Sequence, residues 1–540
     1  MYIISAIIKN FRCFKHVELN FELLTTLVGE NGTGKTAILE ALNYAFSPTF
    51  LASRINEQDF YNSCEENIEI QVFLSESFNV NLSDGYNTRT IPCDKIFLCI
   101  KRRMKASPNK ALSEPFTITH YVIPEDSVPT NGENRWHVMR DSGSEFRFTE
   151  RHLSFPINSE NFPRLFYFNK QRISQADTGF NTTFDRIVDE YNWRFIKNLD
   201  EFKPDYEKYW QLIYQSFIES IGKEKYQDTF LSFRKKLGDI LCQNVENLEL
   251  SPLNLRQPFS KSFFSIRDGL HQINFHGLGS GISMLISLLF IETISSLAGE
   301  GIIFLIDEPE MHLHPQLQDK LYDYLDSIKS QVVFTTHSNH LVKLKNWKSI
   351  IRFNNNKEAF PKIETLETTL HHNDKEITIA EHLDDIGKYH QDKTIFLKEN
   401  NDLFFSRICV LVEGPADKYA IEVLSDFDLS DVTIIPCYGK NKIFYYQLLC
   451  RAFGIPFFTL FDLDGENSET NPNKNIINAS LCYEYYHFKN SLESSFGITS
   501  TANKSSRMMD AIDSCTKVEG EIFDALNSIK SFVNEIRSAE

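Results

Sequence analysis

Two groups of residues in this sequence have the types and spacing to do chemistry on phosphates. The first is Gly29-Glu30-Asn31-Gly32-Thr33-Gly34-Lys35-Thr36. Its glycines let backbone N–H groups from Gly29, Asn31, Gly32 and Gly34 close on phosphate oxygens, Lys35 adds positive charge at the terminal phosphates, and the Thr36 hydroxyl can ligate Mg2+. Far downstream the apolar run Ile302 to Ile306 delivers Asp307 and Glu308. Asp307 is suited to hold Mg2+ through water, and Glu308 to orient or deprotonate an attacking water. A further apolar run, Val332 to Phe334, leads through Thr335 and Thr336 to His337, placed to sense a γ-phosphate. Together these residues predict an ATP site.

The second group is acidic. Cys409 to Val412 leads into Glu413-Gly414-Pro415-Ala416-Asp417, and Phe457 to Phe461 leads into Asp462-Leu463-Asp464-Gly465. Alternate strand residues share a side, so Asp462 and Asp464 can point together. With Glu413 and Asp417 they form an oxygen-only donor set suited to Mg2+ or Mn2+. An Asp-x-Asp alone is commonly a surface turn, but the ordered pair of strand-ending motifs, one β-α unit apart, is far more specific. In a two-ion site one ion helps to ionise a water for in-line attack on phosphorus, while the other offsets charge on the departing 3′ oxygen.

These groups need elements to hold them. Residues 2–29 read as two alternating strands and a third apolar strand running into the glycine-bearing turn, with a helix predicted from Lys35 to Tyr44. Ile68 to Phe148 reads as a β-rich lobe, and 180–245 as a helical insertion, since aromatic and aliphatic residues recur there at helical spacing. Gly281 to Leu297 and His314 to Ser327 read as helices around the buried strand Ile302 to Ile306, and Gln331 to Thr335 as another buried strand. A polar stretch, Asn354 to Asn401, reads as a linker to a second β-α pattern: strands at Ile408 to Val412, Val432 to Pro436 and Phe457 to Phe461, helices at Ala416 to Leu424 and Lys442 to Phe453. Glu466 to Asn475 reads as a loop and Val518 to Ile536 as a helix. Alternating β and α elements imply parallel sheets with helices on their faces.

The bulk numbers suit this scheme. The 540 residues suffice for several domains, and 42% hydrophobic with 24% charged residues is the balance of a globular protein. The ten cysteines include no C-x-x-C pair, which argues against a zinc ribbon or a disulfide framework. No stretch has the roughly 20 apolar residues of a spanning helix, and the N-terminal residues lack the pattern of a secretory signal, so a cytoplasmic protein without membrane contact is expected. A net charge of −17 argues against indiscriminate coating of nucleic acid. The runs Lys101-Arg102-Arg103-Met104-Lys105 and Arg234-Lys235-Lys236 are either a local DNA-facing surface or ordinary solvated faces.

Asn10-Phe11-Arg12-Cys13-Phe14, the phosphate loop, Asp307-Glu308-Pro309-Glu310 and Thr336-His337-Ser338 together resemble the ABC-type heads of the RecF and structural-maintenance-of-chromosomes group. That resemblance implies a signature loop donated to a partner's ATP site; Leu278-Gly279-Ser280-Gly281-Ile282, with Ser280 and Gly281, stands where it belongs, although Ile282 replaces the usual polar residue. The Glu413–Asp417 and Asp462–Asp464 pair resembles the Toprim fold. An ABC-type head with a helical insertion followed by a Toprim domain resembles the OLD (overcoming lysogenization defect) nucleases. The boundaries expected are 1–180 and 261–395 for the ATPase, 181–260 for a dimerising insertion, and 396–540 for the Toprim domain. The resemblance further implies a downstream acid and lysine, for which Glu493 and Lys504 are the candidates. It also implies DNA as substrate, ATP with Mg2+ or Mn2+ as cofactors, self-association through heads and insertion, and a role in antiphage defence with a separately encoded partner such as a helicase or retron complex. Primases and topoisomerases fit less well, for want of a zinc module and of a tyrosine-bearing cleavage domain. An ATPase scaffold or recombination mediator with an inactive Toprim domain is the alternative.

Overall fold

The computed structural model describes residues 1–46, 51–83, 88–103, 115–124, 128–129, 136–139, 145–148, 162–169, 232, 235–239, 248–250, 264–268, 271–274, 280–298, 301–373, 375–388, 398–480, 484–498, 504–515 and 517–539. The helical insertion expected at 181–260 lies almost wholly outside the described residues. Contacts divide the chain into two compact units, Met1–Thr25 with Thr36–Thr336, and Thr26–Lys35 with His337–Glu540.

In the first unit an antiparallel sheet runs in the order Phe14–Asn20, Ile3–Phe11, Ile68–Ser83, Thr88–Arg102, Phe116–Pro124. Alternate residues of its first strands are buried, as a sheet with one covered face requires. A parallel set follows, in which Ile302–Asp307 lies between Arg164–Phe168 and Gln331–Thr335. Every residue of Ile302–Asp307 and Gln331–Thr335 is buried, the mark of strands covered on both faces. The helix Lys35–Phe46 from Thr36 onward, and the helices Ser280–Ala298 and Pro315–Ser327, belong to the same unit.

In the second unit the fully buried strand Leu24–Gly29, whose residues from Thr26 onward belong here, pairs in parallel with Ile350–Phe353, and that strand turns back into Ala359–Phe360. Beyond it a parallel sheet runs in the order Val432–Pro436, Ile408–Val412, Phe457–Asp462, Tyr485–Phe488. Period-two alternation divides its side chains between two cores. Cys409, Leu411, Phe457 and Phe461 pack with Val28, Trp347, Leu383 and Phe453, while Ile408, Val410, Phe458 and Leu460 pack with Ile421, Ile529 and Phe532. The fold is thus α/β, a P-loop ATPase head followed by a Toprim domain.

The stretch expected to be a plain linker is folded. It holds the hairpin Thr369–His372 with Lys375–Thr378, the helix Ile379–Lys388 and the 3-10 segment Lys398–Phe405. Sparse apolar residues among many polar ones, Leu370, Ile379, Leu383, Leu403 and Phe404, all enter one core, which suffices to order it. The loop expected at Glu466 to Asn475 ends in the helix Asn473–Ser480, and Tyr485–Phe488 adds a fourth parallel strand that the sequence reading left out.

Candidate functional site

The strand Leu24–Gly29 ends in the phosphate loop. Gly29 has φ 133, and a Cβ there would lie 2.3 Å from the Phe353 carbonyl oxygen, so only glycine fits between the paired strands. The Lys35 ammonium lies 2.8 Å from both the Gly29 and Glu30 carbonyl oxygens, folded onto its own loop. The turn after Ile350–Phe353 reaches the same loop: Lys357 donates to the Gly32 carbonyl at 2.8 Å and Asn355 to the Glu30 carboxylate at 3.2 Å.

In the first unit the Thr36 hydroxyl donates to Asp307 Oδ1 at 3.0 Å, and the Thr335 hydroxyl to the same oxygen at 2.6 Å. Asp307 is thereby fixed beside the hydroxyl expected to share its Mg2+. Glu308 has φ 50, and its N–H donates to Thr335 Oγ1 at 3.0 Å. A left-handed non-glycine residue is uncommon and is held here by its neighbours, which turns Glu308 out of the strand line. Gly281 follows the first residue of its helix, and a Cβ on it would meet Leu313 Cδ2 at 2.6 Å, so close packing fixes this glycine. Leu278, Gly279 and the side chain of Ser280 lie outside the described residues. His337, exposed, belongs to the second unit, its ring 6.2 Å from that of Phe405.

The acidic group forms at the carboxyl ends of two paired parallel strands, the edge of an open α/β sheet where ligands bind. Glu413 follows Ile408–Val412, and its Oε1 accepts the Asp462 N–H at 2.8 Å. Asp417 sits in the first turn of Pro415–Leu424 and accepts the Gly414 N–H at 2.8 Å. Asp462 ends its strand and accepts the Leu492 N–H at 3.1 Å, which draws the short helix Leu492–Ser495, with Glu493, toward the cluster. Asp464 has φ 55 and pairs with Lys440 at 2.9 Å. Burial, then the charges of Glu413, Asp417 and Glu493, push the Asp462 carboxyl up to about 8. Burial raises Glu413 too, against the opposing pull of the Asp462 N–H and Lys440. Lys504 opens the helix Lys504–Asp513, but its side chain lies outside the described residues.

The donor set suits a hard divalent ion, and mutual repulsion among carboxylates is what such an ion relieves. As they stand, however, the acids are spent on backbone amides and on Lys440. Among the described residues no three His, Cys, Asp or Glu side chains converge closely enough to hold an ion. Of the basic runs, Arg102 is engaged with Glu57 and stacked over Phe60, and Lys236 pairs with Glu292, so these two are structural contacts.

Residues 1–342 match the family described as AAA ATPase domain, and residues 404–464 match the Toprim domain of overcoming-lysogenization-defect-like proteins. The chain belongs to the AAA ATPase domain family and carries an overcoming-lysogenization-defect-like Toprim domain. Three curated relatives align along most of its length. An OLD nuclease of Thermus scotoductus is 23% identical, over 85% of this chain and 81% of its own. Endonuclease GajA of Bacillus cereus is 24% identical, over 84% and 72%. The Old nuclease of Escherichia phage P2 is 22% identical, over 85% and 77%. The chain thus joins an ATPase domain to a Toprim domain. No helix among the described residues is long and apolar enough to cross a membrane.

Proposed function

We propose that this chain is an OLD-type nuclease, an ATP-binding and ATP-hydrolysing endonuclease that cuts DNA with Mg2+ or Mn2+ and serves antiphage defence. The observation that carries the reading is the meeting of Glu413 and Asp462 at neighbouring strand ends, with Asp417, Asp464 and Glu493 within electrostatic reach. Glu413, Asp417, Asp462 and Asp464 would hold the divalent ion. When bound it supplies acidity to a water and offsets charge on the leaving oxygen. The attacking water oxygen bonds to phosphorus and the P–O3′ bond breaks. Its electron pair stays on O3′, which takes up a proton, and the phosphate remains on the 5′ side. Glu493 then shapes the ion site, and Lys504 is a candidate cation for the five-coordinate state.

In the ATPase the Gly29–Thr36 loop and Lys35 bind the phosphates, Thr36 and Asp307 hold Mg2+, Glu308 orients water, and His337 senses the γ-phosphate. Ser280 and Gly281 act on a partner's site, which makes self-association through the heads and the 181–260 insertion part of the reading. The domain limits 1–180, 181–260, 261–395 and 396–540 belong to it as well, as does a separately encoded defence partner such as a helicase or retron complex. One observation favours a second reading, an ATPase scaffold with an inactive Toprim domain: the acids do not close around an ion site among the described residues. A cleavage time course on supercoiled and linear DNA, with Mg2+, Mn2+ or EDTA, separates the two. The nuclease reading expects metal-dependent cuts, and their absence in every condition favours the scaffold.

A further inference from the structure

Among the described residues, a cation stands beside the Toprim acids. Lys440, first residue of the helix Lys440–Ala452, places its ammonium 2.9 Å from Asp464 Oδ2. Its side chain is only 12% exposed, against 57% for that of Asp464. An exposed lysine–carboxylate pair is ordinary and weak, but a largely buried ammonium has given up most of its hydration and rotamer freedom to sit here. The backbone is bent to deliver it. Tyr438 has φ 56 and Gly439 φ 129, and the Gly439 N–H is tied to the Glu413 carbonyl at 2.9 Å. Asp464 is itself left-handed, its N–H held by the Asn490 carbonyl at 2.9 Å. Both members of the pair therefore depend on left-handed backbone, at Tyr438 and at Asp464, that a surface ion pair does not require.

We propose that Lys440 is a catalytic residue of the nuclease site: its ammonium rests on Asp464 in the metal-free cluster and turns to a non-bridging oxygen of the scissile phosphate when Asp464 engages a divalent ion. The inference rests on the nuclease reading above and adds a phosphate-facing residue to it. Ammonium and metal both require the same carboxylate, so one yields to the other. The freed ammonium, a compact charge with three donors on a flexible stem, is suited to the charge that builds on phosphate oxygens as water attacks.

The test uses the full chain as parent, Lys440→Gln, Lys440→Arg and Asp462→Ala, with folding checked by circular dichroism. Mn2+ binding is measured by calorimetry without DNA, and plasmid cleavage under single-turnover conditions. Lys440→Gln is expected to bind Mn2+ at least as tightly as the parent, because no ammonium competes for Asp464, while cleavage falls roughly 100-fold. Lys440→Arg is expected to keep an intermediate rate. A parental cleavage rate in Lys440→Gln overturns the proposal, as does loss of Mn2+ binding together with cleavage, the behaviour of a lysine that merely shapes the acids. If Lys440→Gln does not fold, a parental rate in Lys440→Arg overturns it instead. A parent that binds Mn2+ but cuts no DNA removes the nuclease reading, and this proposal with it, an outcome recognised because no substitution is needed to see it.

Discussion

Asp462 shows how a residue's surroundings set its chemistry. Its carboxyl is pushed to about 8 by burial and by its acidic neighbours. The unfolded chain releases this proton near pH 4, whereas the folded, metal-free chain keeps it until about 8, so between these values the folded state binds more protons. Stability without metal should therefore fall as pH rises through this window. Thermal melts in EDTA from pH 5 to 8 are expected to show that decline in the parent and a weaker one in Asp462→Asn; equal slopes would contradict the assignment. At the ATPase, Lys35→Ala should lose nucleotide binding, whereas Glu308→Gln should bind ATP yet turn it over on the order of 100-fold more slowly. Binding and steady-state ATPase assays distinguish them, and parental turnover in Glu308→Gln would remove its role. These residues were legible in the sequence because each follows an apolar strand or opens a helix. Lys440 was not: it looks like an ordinary helix-start lysine.

Among the elements, the hairpin Ile350–Phe360 has the most to explain. Phe353 pairs with Gly29, the turn touches Gly32 and Glu30, and Arg352, 2% exposed, donates to the carbonyls of Phe404, Ser406, Phe453 and Gly454. Phe360 packs on Gly454, where a Cβ would meet its ring at 2.4 Å. One short element thus ties the phosphate loop to the backbone of the Toprim domain. Arg352→Met leaves those buried carbonyls without their donor and is expected to cost about 3 kcal/mol or more, read as a lower midpoint in urea unfolding. An unchanged midpoint would show that the clamp contributes nothing. Sequence patterning assigned the strands on either side of this hairpin but read the segment after it as linker. Its apolar residues are too sparse to show a period, and they are buried by contacts with helices far away in sequence, such as Lys440–Ala452.

For the whole molecule the proposed reading, in which Ser280 and Gly281 complete the ATP site of a second copy, expects self-association. Light scattering of the purified chain, with and without ATP, is expected to report a dimer or larger. A monomer at every concentration would contradict it. Each proposed site announces itself in the sequence by short motifs at strand ends, whereas the extent of each folded unit depends on contacts that no motif records. The central claim is that two separate sites serve one protein, with ATP handled by Lys35 and its loop and DNA cut by the acids around Asp462. The most direct measurement is cleavage of supercoiled plasmid in Mg2+ or Mn2+ by the parent and by Asp462→Ala, with ATP binding measured on the same preparations. The account predicts that cutting is abolished in Asp462→Ala and in EDTA while ATP binding is unchanged; metal-independent cutting, or full cutting by Asp462→Ala, would contradict it.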